Sequence, residues 1–245
     1  FAGGYRQLFV FTKPVNEALF RSLSFFPVAA CVDAMLLEST RGGLRRYLES
    51  LPKAGGACGA VVMNCAPFTK GHRYLVEQAS RACDWLYVFV LSEPKGPFPP
   101  EDRLELARLA CREFPNVSVH PTQGYLISNA TFPTYFLKDR NRGGEIHCEL
   151  DLEIFAGRFA PALHLKKRFV GTEPLDPVTR RYNEAMQRIP AWTGIAMIEI
   201  PRLKVRTEAG QRQPGPAHWT AGDLQSVRDL VPAATYDYLK LKIGG

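Results

Sequence analysis

The sequence comprises 245 residues, of which 46% are hydrophobic and 22% are charged, and its formal net charge is +7. Such a length and composition are typical of a globular protein with one domain, or one domain and part of another. No apolar run approaches the ~20 residues of a membrane-spanning helix, so no membrane association is expected. The basic residues are scattered and no basic tract is interleaved with aromatic residues, which argues against nucleic acid and favours phosphates on a small ligand or partner.

The six cysteines form no C-x-x-C pair. Their spacing matches neither a zinc site nor a disulfide framework. We therefore expect free thiols in a reducing, cytoplasmic compartment. Cys65 stands close to His72 in the sequence and could act as a nucleophile, but no residue that would orient such a pair is visible.

The first fifty residues predict part of a small α+β domain. In chain order they show one strand, one helix, two strands and a basic helix, at 7–11, 13–24, 26–32, 34–38 and 44–51. The proline and glycines of 52–56 then predict a linker.

Beyond the linker, the pattern changes to strands that alternate with helices. Strands are predicted at 58–63, 85–91, 117–120 and 168–172, and helices at 73–82 and 100–114. The first two strands are continuous apolar runs, as expected of strands buried on both faces. This alternation predicts an α/β fold with a doubly wound parallel sheet, in which ligands bind beyond the carboxyl ends of the strands.

The segment Asn64–His72 (Asn-Cys-Ala-Pro-Phe-Thr-Lys-Gly-His) joins the first buried strand to a helix. Gly71 lets the backbone approach a ligand, and the start of the helix directs N–H groups and a positive dipole end toward an anion. The Thr69 hydroxyl and the His72 imidazole are suited to phosphate oxygens. Taken alone, His72 could equally be a buried structural histidine, but its place in this turn favours phosphate binding. The Gly-Lys-Ser/Thr signature of a Walker loop is absent.

This segment resembles the Thr-x-Gly-His form of the HxGH nucleotidyltransferase superfamily, whose fold is HUP/Rossmann-like. Longer stretches are similar to the citrate lyase ligase family, namely Gly71–Ala79, Ile127–Phe136, Arg168–Pro174, Val178-Thr179 and Tyr182-Asn183. The resemblance covers about residues 57–240. It implies that 57–245 form a nucleotidyltransferase-like ATP-binding domain.

The first fifty residues resemble the closing part of the GNAT-like domain of the same family, through Leu8–Pro14 and Phe25–Pro27. We therefore predict that 1–50 are the C-terminal part of a GNAT-like domain. The acyl-CoA pyrophosphate loop of such a domain is not in this sequence, so no acetyltransferase activity is predicted.

The resemblance implies a ligase that acetylates the prosthetic-group thiol of the acyl carrier subunit of citrate lyase. ATP and acetate would be consumed through an acetyl-adenylate, and AMP and diphosphate released. His72 and Thr69 would be the catalytic residues, holding the triphosphate during in-line attack of acetate on the α-phosphorus. Mg²⁺ would bridge the phosphates.

Nine further residues are predicted to bind the nucleotide or its phosphates. They are Asn64, Pro67, Phe68, Gly71, Lys95, Arg103, Gly171, Thr172 and Glu173. Arg103 matches an arginine at a helix start found across the superfamily, although it could instead pair with Glu101 or Asp102. Lys95 lies in a predicted loop and could equally be only solvated.

The superfamily has a second motif, Ile-Ser-x-Ser/Thr-x-x-Arg, whose arginine binds the β and γ phosphates. The corresponding place, Gln213–Trp219, does not match it, so we assign this role to no residue. Two other functions stay open. One is an adenylyltransferase acting on a phosphorylated acceptor such as phosphopantetheine or nicotinamide mononucleotide, and the other is an inactive nucleotide-binding module.

Overall fold

The structure, a computed structural model, describes most of the chain. The described residues are 7–94, 98–128, 131–172, 180, 183–184, 186, 194–203, 205–207, 210–212 and 227–243. Among them, no helix is both long enough and apolar enough to cross a bilayer.

The N-terminal segment forms a three-stranded antiparallel sheet in the order β1-β3-β2. Its elements are β1 (Phe9–Thr12), a 3₁₀ turn (Pro14–Asn16), α1 (Glu17–Ser22), β2 (Phe26–Ala30), β3 (Met35–Glu38) and α2 (Gly43–Ser50). This agrees with the predicted order of strands and helices. The helical pattern of 13–24 does form a turn and helix, but Val15, Leu19 and Leu23 on it are exposed rather than packed.

The second part of the chain forms a five-stranded parallel sheet in the order β6-β5-β4-β7-β8. The strands are β4 (Cys58–Met63), β5 (Trp85–Val90), β6 (Val117–Pro121), β7 (Leu165–Gly171) and β8 (Ala196–Ile200). The helices are α3 (Lys70–Arg81), α4 (Pro100–Cys111), α5 (Gly143–Ile154), α6 (Ala160–Leu163) and α7 (Ala233–Ile243), with a 3₁₀ turn (Arg140–Arg142) before α5 and a π-helical turn (Phe155–Phe159) between α5 and α6. A two-stranded antiparallel ribbon, β9 (Val205–Thr207) and β10 (Gly210–Arg212), follows the sheet.

The prediction of an α/β fold with a doubly wound parallel sheet is confirmed. β4 lies in the centre, and Ala60 and Val61 on it are fully buried. The chain builds outward from β4 to β5 and β6, and then returns to place β7 on the other side of β4. The strand order therefore reverses between β4 and β7, which is where ligands bind in folds of this kind.

A buried carboxylate joins the N-terminal segment to the parallel-sheet part. The Glu38 side chain, only 3% exposed, accepts hydrogen bonds from Gln7 Nε2 at 2.8 Å, the Tyr125 hydroxyl at 2.7 Å and the Leu44 N–H at 3.2 Å. The Tyr47 hydroxyl donates to the carbonyl of Pro121, at the end of β6. Both parts also contribute side chains to one hydrophobic cluster. Side chains on either side of the boundary predicted near residue 50 therefore pack together, and the assignment of 1–50 to a GNAT-like domain stays a prediction.

Glu38→Ala should lower the free energy of unfolding by roughly 3 kcal/mol, because buried donors lose their shared acceptor. Glu49→Ala is the matched control, since that carboxylate is exposed and should change the value by no more than about 0.5 kcal/mol. Urea unfolding of both variants measures the difference, and equal effects would contradict the structural role of Glu38.

Candidate functional site

The Asn64–His72 segment follows β4 at the carboxyl edge of the sheet, beside the point where the strand order reverses. Within it, Pro67 and Phe68 are buried, the Ala66–Pro67 peptide bond is cis, and Asn64 is exposed. The Lys70 N–H donates to the carbonyl of Leu230 at 2.9 Å, so the segment just before α7 holds the start of α3. The predicted turn is therefore held by its buried residues and by the segment before α7, while Asn64 stays exposed.

Thr69 and His72 bond to each other reciprocally at the start of α3. The Thr69 hydroxyl accepts from the His72 N–H at 3.3 Å, and His72 Nδ1 accepts from the Thr69 N–H at 2.9 Å. This is a capping box with histidine at the position usually held by glutamate or glutamine. Because of it, α3 begins at Lys70, earlier than the Arg73 predicted from periodicity.

The capping box also decides how the imidazole can be used. Since Nδ1 of His72 accepts a hydrogen bond, the proton of the neutral ring lies on Nε2. Nε2 has no hydrogen-bond partner among the residues that the structure describes. His72 is only partly exposed, and Phe68 lies beside its ring at a centroid distance of 5.5 Å. The ring is thus held in place with one N–H donor left for a ligand.

Burial and the nearby charge of Arg202 together lower the pKa of His72 to about 4. At neutral pH the ring is therefore an uncharged donor and not a cation. The sequence analysis did not identify Arg202, which follows the end of β8. The Arg202 N–H donates to the hydroxyl of Thr172 at 3.0 Å, and the Thr172 N–H donates to the carbonyl of Ile200 at 2.9 Å. The sequence can identify Arg202 as a candidate site residue only once the strand before it, β8, is known.

Arg103 lies behind the turn and is only 1% exposed. Its Nη1 donates to the Asn64 carbonyl at 3.0 Å and also to Asn64 Oδ1, and its Nη2 donates to the carbonyl of Glu93. Asp102, the alternative partner, instead accepts from the Tyr238 hydroxyl at 2.5 Å. The guanidinium thus supports the turn, and its predicted contact with phosphate stays a prediction.

The remaining predicted residues divide into two groups. Gly171 ends β7 and Thr172 follows it, so both lie at the same carboxyl edge as the turn. A Cβ added to Gly171 would meet nothing within 4 Å, which leaves open space there among the described residues. Lys95 and Glu173 lie outside the described residues, as does Gln213–Trp219.

Cys65 is fully buried, and burial raises the pKa of its thiol well above the ordinary value. A buried thiol that stays protonated is a poor nucleophile, which disfavours the alternative of Cys65 catalysis. None of the six cysteines forms a disulfide in the structure.

A cavity of about 630 Å³ lies between β2, α2 and α6. It is lined by Phe26, Leu44, Leu48, Arg158 and Pro161 among others, and by none of the residues predicted to bind nucleotide. We therefore place the candidate site at the turn, where the chemistry-bearing groups converge, and not in this cavity.

A parallel sheet with a capped Thr-x-Gly-His turn where its strand order reverses defines an α/β protein of the nucleotidyltransferase type. The family model for the citrate lyase ligase C-terminal domain matches residues 58–239. The chain belongs to the citrate lyase ligase family. This confirms the resemblance found in the sequence and, with it, the prediction of a ligase.

Relatives with known names agree with that assignment. The chain is 41% identical over 244 residues to the [citrate [pro-3S]-lyase] ligase of Klebsiella pneumoniae. The aligned region covers 96% of this chain and 71% of the relative. The chain is 40% identical over 243 residues to the ligase of Escherichia coli (strain K12), covering 96% and 69%. It is 44% identical over only 66 residues to the phosphopantetheine adenylyltransferase of Symbiobacterium thermophilum, covering 26% of this chain and 41% of that protein.

Arg202→Ala should raise the pKa of His72 from about 4 toward its ordinary value of 6.5 without reaching it, because burial, the larger cause, remains. Imidazole NMR titration measures this shift. His120 is an internal control, since burial and the charge of Arg108 lower its pKa to about 4 independently of Arg202. A His72 that titrates near 6.5 in the unaltered protein would contradict the electrostatics described here.

Proposed function

We propose that the protein is an ATP-dependent ligase that acetylates the prosthetic-group thiol on the acyl carrier subunit of citrate lyase. The observation that carries this proposal is the capping box, which holds His72 Nε2 as a donor at the switch point of a citrate lyase ligase family member. The reaction would occur in the cytoplasm, with acetate and ATP as the other substrates.

In the first step, a carboxylate oxygen of acetate attacks the α-phosphorus of ATP in line. The bond from phosphorus to the bridging oxygen breaks, so that acetyl-adenylate forms and diphosphate leaves. Negative charge grows on the phosphate oxygens, and catalysis of such a transfer consists mostly of positioning and electrostatic stabilisation. His72 donates from Nε2 to one of these oxygens, while the start of α3 and the charge of Arg202 add positive potential.

Thr69 serves this step by holding the imidazole. Thr69 is only 5% exposed, and its hydroxyl is already hydrogen-bonded within the capping box. Its main contribution is therefore to fix the imidazole of His72, and not to bind phosphate by itself. In the second step the carrier thiol, after losing its proton, attacks the acetyl carbonyl. A thioester forms and AMP leaves.

Mg²⁺ is the cofactor that ATP chemistry implies. Among the described residues, no group of three or more histidine, cysteine, aspartate or glutamate side chains could hold a metal ion. Mg²⁺ commonly keeps several waters and binds through substrate phosphates, so we propose that it enters with ATP. There it would neutralise phosphate charge, and the protein residues named above act on the nucleotide itself.

The proposed reaction predicts which acceptors support turnover. With ATP and Mg²⁺, diphosphate should be released continuously only when both acetate and the deacetylated carrier subunit are present, in an amount equal to the thioester formed. Release with phosphopantetheine or nicotinamide mononucleotide instead would support an adenylyltransferase. ATP binding without release on any acceptor would support an inactive module. A coupled diphosphate assay distinguishes the three.

His72→Ala should slow diphosphate release at least about a hundredfold, because one preorganised donor to the transferring phosphate is lost, roughly 3 kcal/mol. His164→Asn is the matched control, since that histidine is exposed at the end of α6 and should leave the rate unchanged. An unaltered rate in the His72 variant would exclude the role proposed for its imidazole.

A further inference from the structure

Three loops leave the carboxyl edge of the sheet side by side, after β4, β5 and β6. Since these strands are parallel neighbours, their loops must keep a fixed spacing for substrates to meet between them. We propose that Glu93 is a positioning residue that holds these three loops together and so sets the phosphate-binding turn against the loop after β6, which carries Ser128. This inference deepens, and rests on, the proposed ligase reaction.

The first connection joins the loops after β5 and β6. Glu93 follows the end of β5 and is only 8% exposed. Its Oε2 accepts from the Ser128 hydroxyl at 2.7 Å, and its Oε1 accepts from the Ser128 N–H. One carboxylate thus binds both donors of a single residue in the neighbouring loop, which fixes distance and orientation together.

The second connection joins the loops after β5 and β4. The backbone carbonyl of Glu93 accepts from Arg103 Nη2, while Arg103 Nη1 donates to the Asn64 carbonyl and side chain. A guanidinium is planar and rigid, so these bonds set the position of Asn64 relative to Glu93. The Thr69–His72 capping box follows Asn64 in the same turn. The path from Ser128 to the turn therefore consists of hydrogen bonds that pass through two buried side chains, Glu93 and Arg103.

Charge supports this arrangement. A buried carboxylate and a buried guanidinium are each costly unless they are hydrogen-bonded or compensated. Burial lowers the pKa of Arg103, and the charge of Glu93 acts against that shift. Glu93 thus compensates the cation that supports the turn as well as binding Ser128.

The Ser128 loop is itself well anchored beyond this point. The carbonyl of Ser128 accepts from the N–H groups of Thr131 and Phe132, both at 3.1 Å, and Phe132 is only 6% exposed. Ser128 therefore caps a local turn rather than reaching into the site. Glu93 therefore positions the whole loop and not Ser128 alone. Its effect on catalysis should arise from the position of the loop, because a displacement of ~1 Å can lower the rate about a hundredfold.

The base of these loops is tied independently, which makes the proposal testable in a folded protein. The Ser92 N–H donates to the Thr122 hydroxyl at 3.1 Å, and the Gln123 N–H donates to the Ser92 hydroxyl at 2.9 Å. A substitution that removes one acceptor from the Glu93 side chain leaves both of these Ser92 hydrogen bonds intact.

The test is Glu93→Gln, which keeps the volume and one acceptor but replaces the other acceptor of Ser128 by an amide donor and removes the negative charge near Arg103. With ATP, acetate and the carrier subunit, kcat for diphosphate release should fall about 10- to 100-fold. The ATP Kd from calorimetry should stay within about threefold, and Tm within a few degrees. Glu101→Gln is the control: this exposed carboxylate also raises the pKa of Arg103 but makes no hydrogen bond to a loop within the described part of the chain, so kcat should stay within about twofold.

A double-mutant cycle shows whether the effect passes through Ser128. Ser128→Ala should slow the reaction and Ser128→Thr should not, because threonine keeps the hydroxyl. Combining Ser128→Ala with Glu93→Gln should cost less than the product of the single losses. Additive losses, or a Glu93→Gln variant with unaltered kcat, would overturn the proposal. So would a lower Tm with unchanged kcat per folded molecule, since that is the result of a merely structural role.

One readout is independent of catalysis and separates failure of this inference from failure of the proposed function. In amide NMR spectra without substrates, Glu93→Gln should shift the signals of Ser128 and also those of Asn64 and His72, across two loops. A change confined to Ser128 overturns the coupling even if the enzyme is active. If the unaltered protein releases no diphosphate with acetate and carrier, the ligase proposal fails, while these shifts still decide the role of Glu93.

Discussion

The reciprocal hydrogen bonds between Thr69 and His72 are the constraint on which the candidate site depends. A capping box normally satisfies two N–H groups at a helix start and has no further role. Here the residue that completes it is a histidine, so the same bonds that begin α3 also orient an imidazole and fix its proton on Nε2. The entropic cost of ordering that ring is met during folding, before any nucleotide arrives.

The charges around the turn follow from this constraint. A protonated His72 beside Arg202 would place two cations together in a recessed site, and burial opposes that further. A neutral N–H donor beside one arginine avoids the repulsion and still presents positive potential to a phosphate. Arg103 contributes differently, because its guanidinium lies behind the turn and donates a hydrogen bond to the carbonyl of Asn64. Arg202 thus supplies positive electrostatic potential at the site, and Arg103 holds the turn in a fixed position.

The sequence predicted those parts of the fold whose signals are local. β4, the turn and α3 lie within a short stretch, where a continuous apolar run meets Thr-x-Gly-His. The sequence does not predict α5, because the helix is buried on several sides and Ile146, Cys148 and Leu150 stand at a spacing of two, which does not indicate a helix. Arg202 could not be found without β8, and the partners of Arg103 depend on loops that are distant in sequence.

The N-terminal segment shows why a boundary in sequence need not be a boundary in structure. The family model begins at residue 58, yet Glu38 before it accepts a hydrogen bond from Tyr125 after it. Tyr125 lies in the loop after β6, the loop that also carries Ser128. Without Glu38, its buried hydroxyl would lose a charged acceptor, and the loop would lose an anchor in addition to Glu93. Whatever the ancestry of residues 1–50, their physical role in this fold is to support the edge of the sheet at which the site is built.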